Sequence, residues 1–138
     1  MKKSKLVVEG DFLISNSMSF GKPVIVKIPK GAIHDGWLLL REKITLCKDY
    51  FYYLFCSGFM YSLLSSKAAG STVKNLNINM VKELEVPLPP LKEQERIAKE
   101  LESKAKTIKE LKELYAKRLK DYEELKESLL DLAFKGGL

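Results

Sequence analysis

Two adjacent prolines, Pro89 and Pro90, separate parts of the chain that differ in composition. Proline cannot lie inside a helix, because it lacks a backbone N–H and its ring clashes with the preceding turn, but it is tolerated at a helix start. Residues 91–135 are rich in Glu, Lys and Leu, which are good helix formers. The sequence therefore predicts a long helix that starts sharply after Pro90 and ends at Gly136 and Gly137.

Apolar and aromatic side chains recur along this predicted helix with a seven-residue period, which indicates a coiled coil. Lys104 and Arg118 interrupt the pattern and favour an antiparallel partner, in which a cation can extend past a small residue. A helix of roughly 65 Å cannot bury such a stripe on one small domain, so it needs another helix, in a second copy or a different protein. The predicted dimerisation residues are Ile97, Leu101, Ile108, Leu111, Tyr115, Tyr122, Leu125 and Leu129.

The remainder of the chain predicts a small α+β domain over residues 1–88, followed by the coiled-coil helix over residues 89–138. Apolar spacing at three and four residues predicts one amphipathic helix from Asp49, as its cap, to about Lys67. Gly31 and Asp35-Gly36 predict a further turn. Short β-branched and apolar runs predict strands at residues 6–8, 12–15, 23–29, 37–41 and 84–88.

The positive charge is concentrated in the predicted globular part. Residues 1–91 hold twelve Lys or Arg against seven Asp or Glu, whereas residues 92–138 hold twelve against eleven. The globular part is therefore the better candidate for contacting phosphate groups. Hydroxyls, lysines and amides that suit DNA contacts fall in two predicted loops, although both loops can equally be plain solvated connections, and Asn75 and Asn77 can close Asx turns. The candidate DNA-binding residues are Ser17, Ser19 and Lys22 in the first loop and Lys67, Ser71, Thr72, Lys74 and Asn75 in the second.

Several function classes are disfavoured by the residue types present. With one histidine, His34, and two cysteines, Cys47 and Cys56, the chain cannot assemble a four-ligand metal site from these types, and we expect both thiols to be buried. His34 lies in a predicted turn without a nucleophile motif, so it is expected to be solvated. No cofactor is expected and the chain is predicted to be non-catalytic. Without an apolar stretch of membrane-spanning length or a signal peptide, it is predicted to be cytoplasmic.

Two segments in the middle of the chain carry a family resemblance. The first is Gly-Ser-Thr-Val-Lys-Asn-Leu-Asn-Ile at residues 70–78, and the second is Pro-Leu-Pro-Pro-Leu at residues 87–91, followed by Glu93-Gln94 and Arg96-Ile97. In order and separation they resemble the end of a target-recognition domain and the start of the long helix in DNA specificity subunits of type I restriction-modification systems.

The resemblance implies a specificity subunit that binds double-stranded DNA, docks a methyltransferase (modification) subunit and holds its domains apart with antiparallel helices. In this family S-adenosylmethionine is recruited by the methyltransferase subunits, and ATP is used by a separate motor-nuclease subunit. The present globular part is short for such a domain, so we expect a shortened half-subunit that forms a homodimer. The alternative is an interaction protein that does not bind DNA and whose coiled coil pairs with restriction-modification subunits.

Overall fold

The protein is described by a computed structural model that covers residues 4–17, 19–69 and 75–137. Short antiparallel strands precede four helices, which confirms the predicted α+β class. The strands are β1 (Lys5–Val8), β2 (Phe12–Ser15), β3 (Pro23–Ile25), β4 (Lys30–Ile33) and β5 (Trp37–Leu40). The helices are α1 (Lys48–Cys56), α2 (Gly58–Lys67), α3 (Ile78–Lys82) and α4 (Leu91–Phe134). The chain divides into two compact units, Met1–Ala98 and Lys99–Leu138.

Strand β2 lies at the centre of the first unit and is buried on both faces. It pairs antiparallel with β3 and β5, and Leu13 lies opposite Val24 on one side and Leu39 on the other. Since successive side chains of a strand point to opposite faces, Phe12 and Ile14 pack with the helices while Leu13 packs with Val7 and Val26. The strand thereby joins two apolar clusters into one folded unit.

A second sheet consists of β1 and β4 alone, paired antiparallel with Lys5 opposite Ile33 and Val8 opposite Lys30. The prediction of a turn at Gly31 was therefore wrong. The segment Lys30–Ile33 holds a single β-branched residue, so its extended form depends on pairing with β1 rather than on its own propensity.

The predicted single helix from Asp49 to Lys67 is in fact two helices separated at Ser57. Ser57 is extended, with φ −77° and ψ 151°; its Oγ donates to the Leu54 carbonyl at 2.6 Å and accepts the Met60 N–H at 3.2 Å. The hydroxyl thus bonds to the end of α1 and caps α2, so the chain can change direction here. The predicted cap was also wrong, because Cys47 holds the N-cap position of α1 and Asp49 lies in its first turn.

The segment before the prolines also differs from the prediction. Residues 84–88, predicted as a strand, have no strand partner and follow the short helix α3. Asn77 starts that helix, since its side chain accepts the Met80 N–H at 3.0 Å. Tyr50, buried in α1, donates its hydroxyl to the Pro87 carbonyl at 3.0 Å and so holds this segment without a sheet.

Asp11 is a buried carboxylate at the Gly-Asp turn between β1 and β2, with 6% of its surface exposed. It accepts two hydrogen bonds from Arg41, at 2.9 and 2.7 Å, and one from the Val8 N–H at 2.9 Å. The hydrogen bond from Arg41 is the main reason why the pKa of Asp11 lies at about 2, below its ordinary 3.8, although burial acts in the opposite direction. Asp11 therefore stabilises the turn as a charged group.

Gln94, in the first turn of α4, ties that helix to the rest of the first unit. Its side chain is 3% exposed; Oε1 accepts the Cys47 N–H at 2.9 Å and Nε2 donates to the Pro89 carbonyl at 2.9 Å. Ala98, one turn further on, is also buried. The helix begins at Leu91, directly after Pro90, as predicted.

The second unit is helical and exposed throughout its described length. The helix ends as predicted at the two glycines: Gly136 has φ 77°, its N–H points to the Ala133 carbonyl, and the Gly137 N–H donates to the Leu132 carbonyl at 2.7 Å. This pair of bonds is a Schellman motif, in which glycine takes the left-handed position without steric cost. No helix in the described part of the chain is both long and apolar enough to cross a membrane.

Acid unfolding tests the role of Asp11. Because its folded pKa lies below the unfolded value, its stabilisation is present above pH 4 and is lost as the pH falls from 4 towards 2. We expect Asp11→Asn to lower the free energy of unfolding by about 1–2 kcal/mol at pH 6 and by almost nothing at pH 2. The value at pH 6 is reduced because solvent screens the charge of the half-exposed Arg41. Urea unfolding at several pH values measures this difference, and the exposed neighbour variant Glu9→Gln is the control. An equal loss at both pH values would contradict the assignment.

Removal of the Gln94 amide tests its anchoring role. Gln94→Ala leaves the Cys47 N–H and the Pro89 carbonyl without partners, so we expect a loss of about 2–3 kcal/mol in the free energy of unfolding of the first unit. The adjacent and exposed Glu95→Ala should change it by less than about 0.5 kcal/mol. Chemical unfolding followed by Trp37 fluorescence reports on the first unit, and similar values for both variants would refute the role of Gln94.

Candidate nucleic-acid interface

The predicted DNA-binding residues that the structure describes are exposed and lie on three segments of the first unit. Ser17, Ser19 and Lys22 lie on the loop between β2 and β3, called here the β2–β3 loop (residues 16–22, with Met18 outside the described residues). Lys67 is the last residue of α2, and Asn75 precedes α3. The remaining predicted residues, Ser71, Thr72 and Lys74, lie outside the described residues.

The β2–β3 loop has a tightly defined backbone. Ser19 is a non-glycine residue with φ 54°, and Gly21 has φ 73°. The Gly21 N–H donates to the Ser15 carbonyl at 2.9 Å and the Lys22 N–H to the Ser19 carbonyl at 3.0 Å. A Cβ on Gly21 would lie 2.9 Å from Cδ1 of Leu64, so the loop passes close against α2 and glycine is required there.

Asn16 connects this loop to the segment that carries Asn75. The Leu76 N–H donates to the Asn16 carbonyl at 2.9 Å, so the two candidate segments lie side by side. The Asn16 side chain donates to the Asp35 carbonyl at 2.6 Å, and its backbone N–H donates to the Gly36 carbonyl at 3.0 Å. Asn16 thus holds three chain segments together, and sequence reasoning missed it because these partners are distant in sequence.

The candidate cations differ in how their charge is compensated. Lys67 forms an ion pair with Glu83, with Nζ 3.6 Å from the carboxylate and both side chains exposed, an arrangement that contributes little to stability and leaves Lys67 able to exchange partners. Among the residues that the structure describes, Lys22 has no carboxylate partner. Lys22 is therefore the better placed of the two for contacting a phosphate.

Asn77 is part of the local structure, because its side chain caps α3 by accepting the N–H of Met80, three residues on. His34 is likewise part of a turn: its Nδ1 accepts the Gly36 N–H at 2.9 Å. No group of three or more His, Cys, Asp or Glu side chains that could hold a metal ion occurs within the described ranges.

The prediction that both thiols are buried was wrong. Cys47 is half-buried and Cys56 is exposed, and both are free. Cys56 is the last residue of α1. Burial of the sulfur raises the pKa of the Cys56 thiol, while the hydrogen bond with Tyr52 and the charge of Lys22 act in the opposite direction.

The predicted dimerisation residues divide between the two units. Ile97 is half-buried in the first unit, next to the anchoring turn of α4. The other seven are exposed on the second unit, at fractions from 38% for Leu101 to 68% for Tyr115. Other large apolar side chains are exposed on the same unit: Leu114, Leu119, Leu130, Leu132 and Phe134. Apolar exposure of this extent is typical of a surface that binds another protein.

Comparisons with known proteins agree with each other. A family model described as the type I restriction modification DNA specificity domain matches residues 1–120. The type I restriction enzyme MjaIX specificity subunit of Methanocaldococcus jannaschii is 30% identical over 94 residues, which are 68% of this chain and 22% of that protein.

A solved structure is similar to the present chain in three dimensions. It is described as the structural basis of complex assembly and conformational transition of the type I R-M system. One of its chains matches 97% of the present chain with a TM-score of 0.80 and 26% sequence identity, and the match covers 33% of that chain. The present chain therefore spans about a fifth to a third of the length of these relatives.

Proposed function

The chain belongs to the type I restriction-modification DNA specificity family, and from this premise we propose that its first unit binds double-stranded DNA as a non-catalytic recognition element of such a complex. The observation that carries the proposal is the hydrogen bond between Leu76 and Asn16. It brings the β2–β3 loop, with Ser17, Ser19 and Lys22, beside the segment of Asn75 on the more basic unit. Hydroxyl, ammonium and amide groups gathered in this way suit phosphate and base-edge contacts.

The second unit has a separate role in the proposal, which is to pair with another helix as a coiled coil. Its exposed apolar side chains recur at heptad spacing, and burial of this stripe is worth about 25 cal/mol for each Å² removed from water. A second copy in antiparallel orientation would form a homodimer with two DNA-binding units. The paired helices would also form the surface on which a methyltransferase subunit docks.

A selection from random-sequence duplex DNA distinguishes this proposal from a role in protein interaction alone. Enrichment of a split, symmetric site by the purified chain, with or without a methyltransferase subunit, supports DNA recognition by a dimer. Retention of a methyltransferase subunit without any DNA enrichment would instead favour an interaction protein that pairs through its helix and does not bind DNA.

Reversal of the charge of Lys22 tests the β2–β3 loop. We expect Lys22→Glu to weaken duplex binding about tenfold at low salt and to reduce the slope of log affinity against log salt by about one, because one phosphate contact is lost. Fluorescence anisotropy at several salt concentrations measures both quantities. Lys30→Glu makes the same charge change at an exposed position of β4 and is the control. Equal effects of the two variants would refute a specific contact at Lys22.

Charged residues in the helix stripe test the coiled coil. We expect Leu111→Glu with Tyr115→Glu to convert the dimer to a monomer, because two carboxylates would lie in the apolar seam. Lys106→Glu changes the net charge by the same amount. At about 100° per residue, position 106 lies on the face of the helix opposite to Leu111 and Tyr115, so this variant should leave the dimer intact. Sedimentation equilibrium gives the molar mass. A dimer that survives in the double variant would contradict pairing through this stripe.

A further inference from the structure

A cavity of about 200 Å³ lies within the first unit, bordered by the three-stranded sheet, α1 and α3. Of the described residues assigned above to the DNA interface, none lines this cavity, so it has a separate role. Its lining is mainly apolar and comes from both strands and helices. Among the apolar side chains that line it are Phe12, Leu40, Phe51, Phe55, Val81 and Leu84.

The apolar lining is buried in one part and half-buried in another. Phe12 and Phe55 are only 6% and 8% exposed, and their rings meet with centroids 5.6 Å apart and planes tilted by 58°. Leu40, Phe51 and Val81 pack against these rings and are half-buried. A ligand in the cavity would therefore remove apolar surface of these walls from water, which is the main driving force for binding an apolar molecule.

The charged side chains of the lining are compensated within the chain. Arg41 donates two hydrogen bonds to Asp11, at 2.9 and 2.7 Å. Lys48 donates to the Gly10 carbonyl at 2.6 Å, and its Nζ lies 3.1 Å from the Glu42 carboxylate. These two cations and two carboxylates sum to zero charge. A charged ligand would lose hydration without gaining a free counter-charge, so the cavity favours an uncharged one.

The volume of the cavity limits the size of that ligand. An apolar cavity of about 150 Å³ lined by Leu, Ile and Phe can hold benzene. The present volume of about 200 Å³ therefore suits a single ring or a fused pair such as indole. Sites for drug-sized ligands begin at about 300 Å³, so the cavity is too small for a nucleotide.

The exposed charges beside the cavity favour a free small molecule over a side chain of a partner protein. The side chains of Arg41 and Glu42 are 56% and 36% exposed. A partner protein that covered the cavity would take these charges out of water, and because they are already paired it would gain little attraction in return. A small molecule can enter while both side chains stay hydrated.

We propose that this cavity binds a free, uncharged aromatic molecule between benzene and indole in size, held by apolar side chains of β5, α1 and α3. The inference is independent of DNA binding and of helix pairing, because every residue of the cavity lies in the first unit. A ring bound there would contact α1 and α3 together and so stabilise the first unit.

Methyl NMR of the full chain during titration with indole tests the proposal. We expect saturable shifts of the Leu40, Val81 and Leu84 methyl signals, together with nuclear Overhauser effects from the indole protons. The dissociation constant should be on the order of 1 mM or lower for a ligand of this size. The methyl signals of Val7, in the other apolar cluster, and of Leu129, on the exposed stripe of α4, serve as internal controls and should not change.

Two comparisons test the shape and the charge of the site. Val81→Phe adds a ring to the cavity wall and should weaken indole binding at least about tenfold, whereas Val8→Phe adds the same ring at an exposed position of β1 and should not. In the unaltered chain, benzoate and benzylammonium should bind at least about tenfold more weakly than toluene, since each carries a charge on a ring of the same size. This second comparison decides the outcome should Val81→Phe fail to fold by circular dichroism.

Each contrary result overturns the inference in a recognisable way. Shifts that include Val7 and Leu129 to the same extent would show adsorption to apolar surfaces in general. Equal binding of benzoate and toluene would refute the preference for uncharged ligands, and tighter binding of N-acetyltryptophanamide than of indole would indicate a site for protein side chains. The absence of saturable shifts at the cavity methyl groups would refute the site itself.

Discussion

The first unit depends on one buried amide group that connects the start of α1 to the start of α4. Gln94 bonds to the start of α1 through the Cys47 N–H and to the proline segment through the Pro89 carbonyl, so three parts of the chain meet at a single side chain. A buried amide without these partners would be costly, because both the amide and the backbone groups would lose hydrogen bonds to water without replacement. The start of α4 is thus specified by hydrogen bonding as well as by the prolines.

Much of the architecture follows from local chemistry and could be predicted. The prolines fix the start of α4, glycine at 136 fixes its end, and the β-branched and apolar runs identify β2 and β5. The predictions failed where a contact distant in sequence decides the structure, and where a continuous apolar spacing conceals the end of a helix. The strand β4 exists because β1 pairs with it, and the helix break at Ser57 is hidden by an apolar spacing that continues through it.

The candidate site, too, could be predicted from the sequence only in part. Residue types predicted the exposed loops that carry Lys22 and Asn75, because hydroxyls, lysines and amides in turns are visible in a sequence. Their adjacency was not visible, since it depends on the Asn16 carbonyl accepting a hydrogen bond from a residue sixty positions away.

The exposed stripe of the second unit has a consequence for the amount of this protein that a cell can maintain. If the helix pairs through its exposed apolar side chains as proposed, association stabilises it, so the folded fraction rises with the concentration of the partner helix. Copies made in excess would present the stripe to chaperones and proteases and be removed faster than paired copies. The abundance of the chain would then follow that of its partner, and assembly would regulate dosage without a separate regulatory protein.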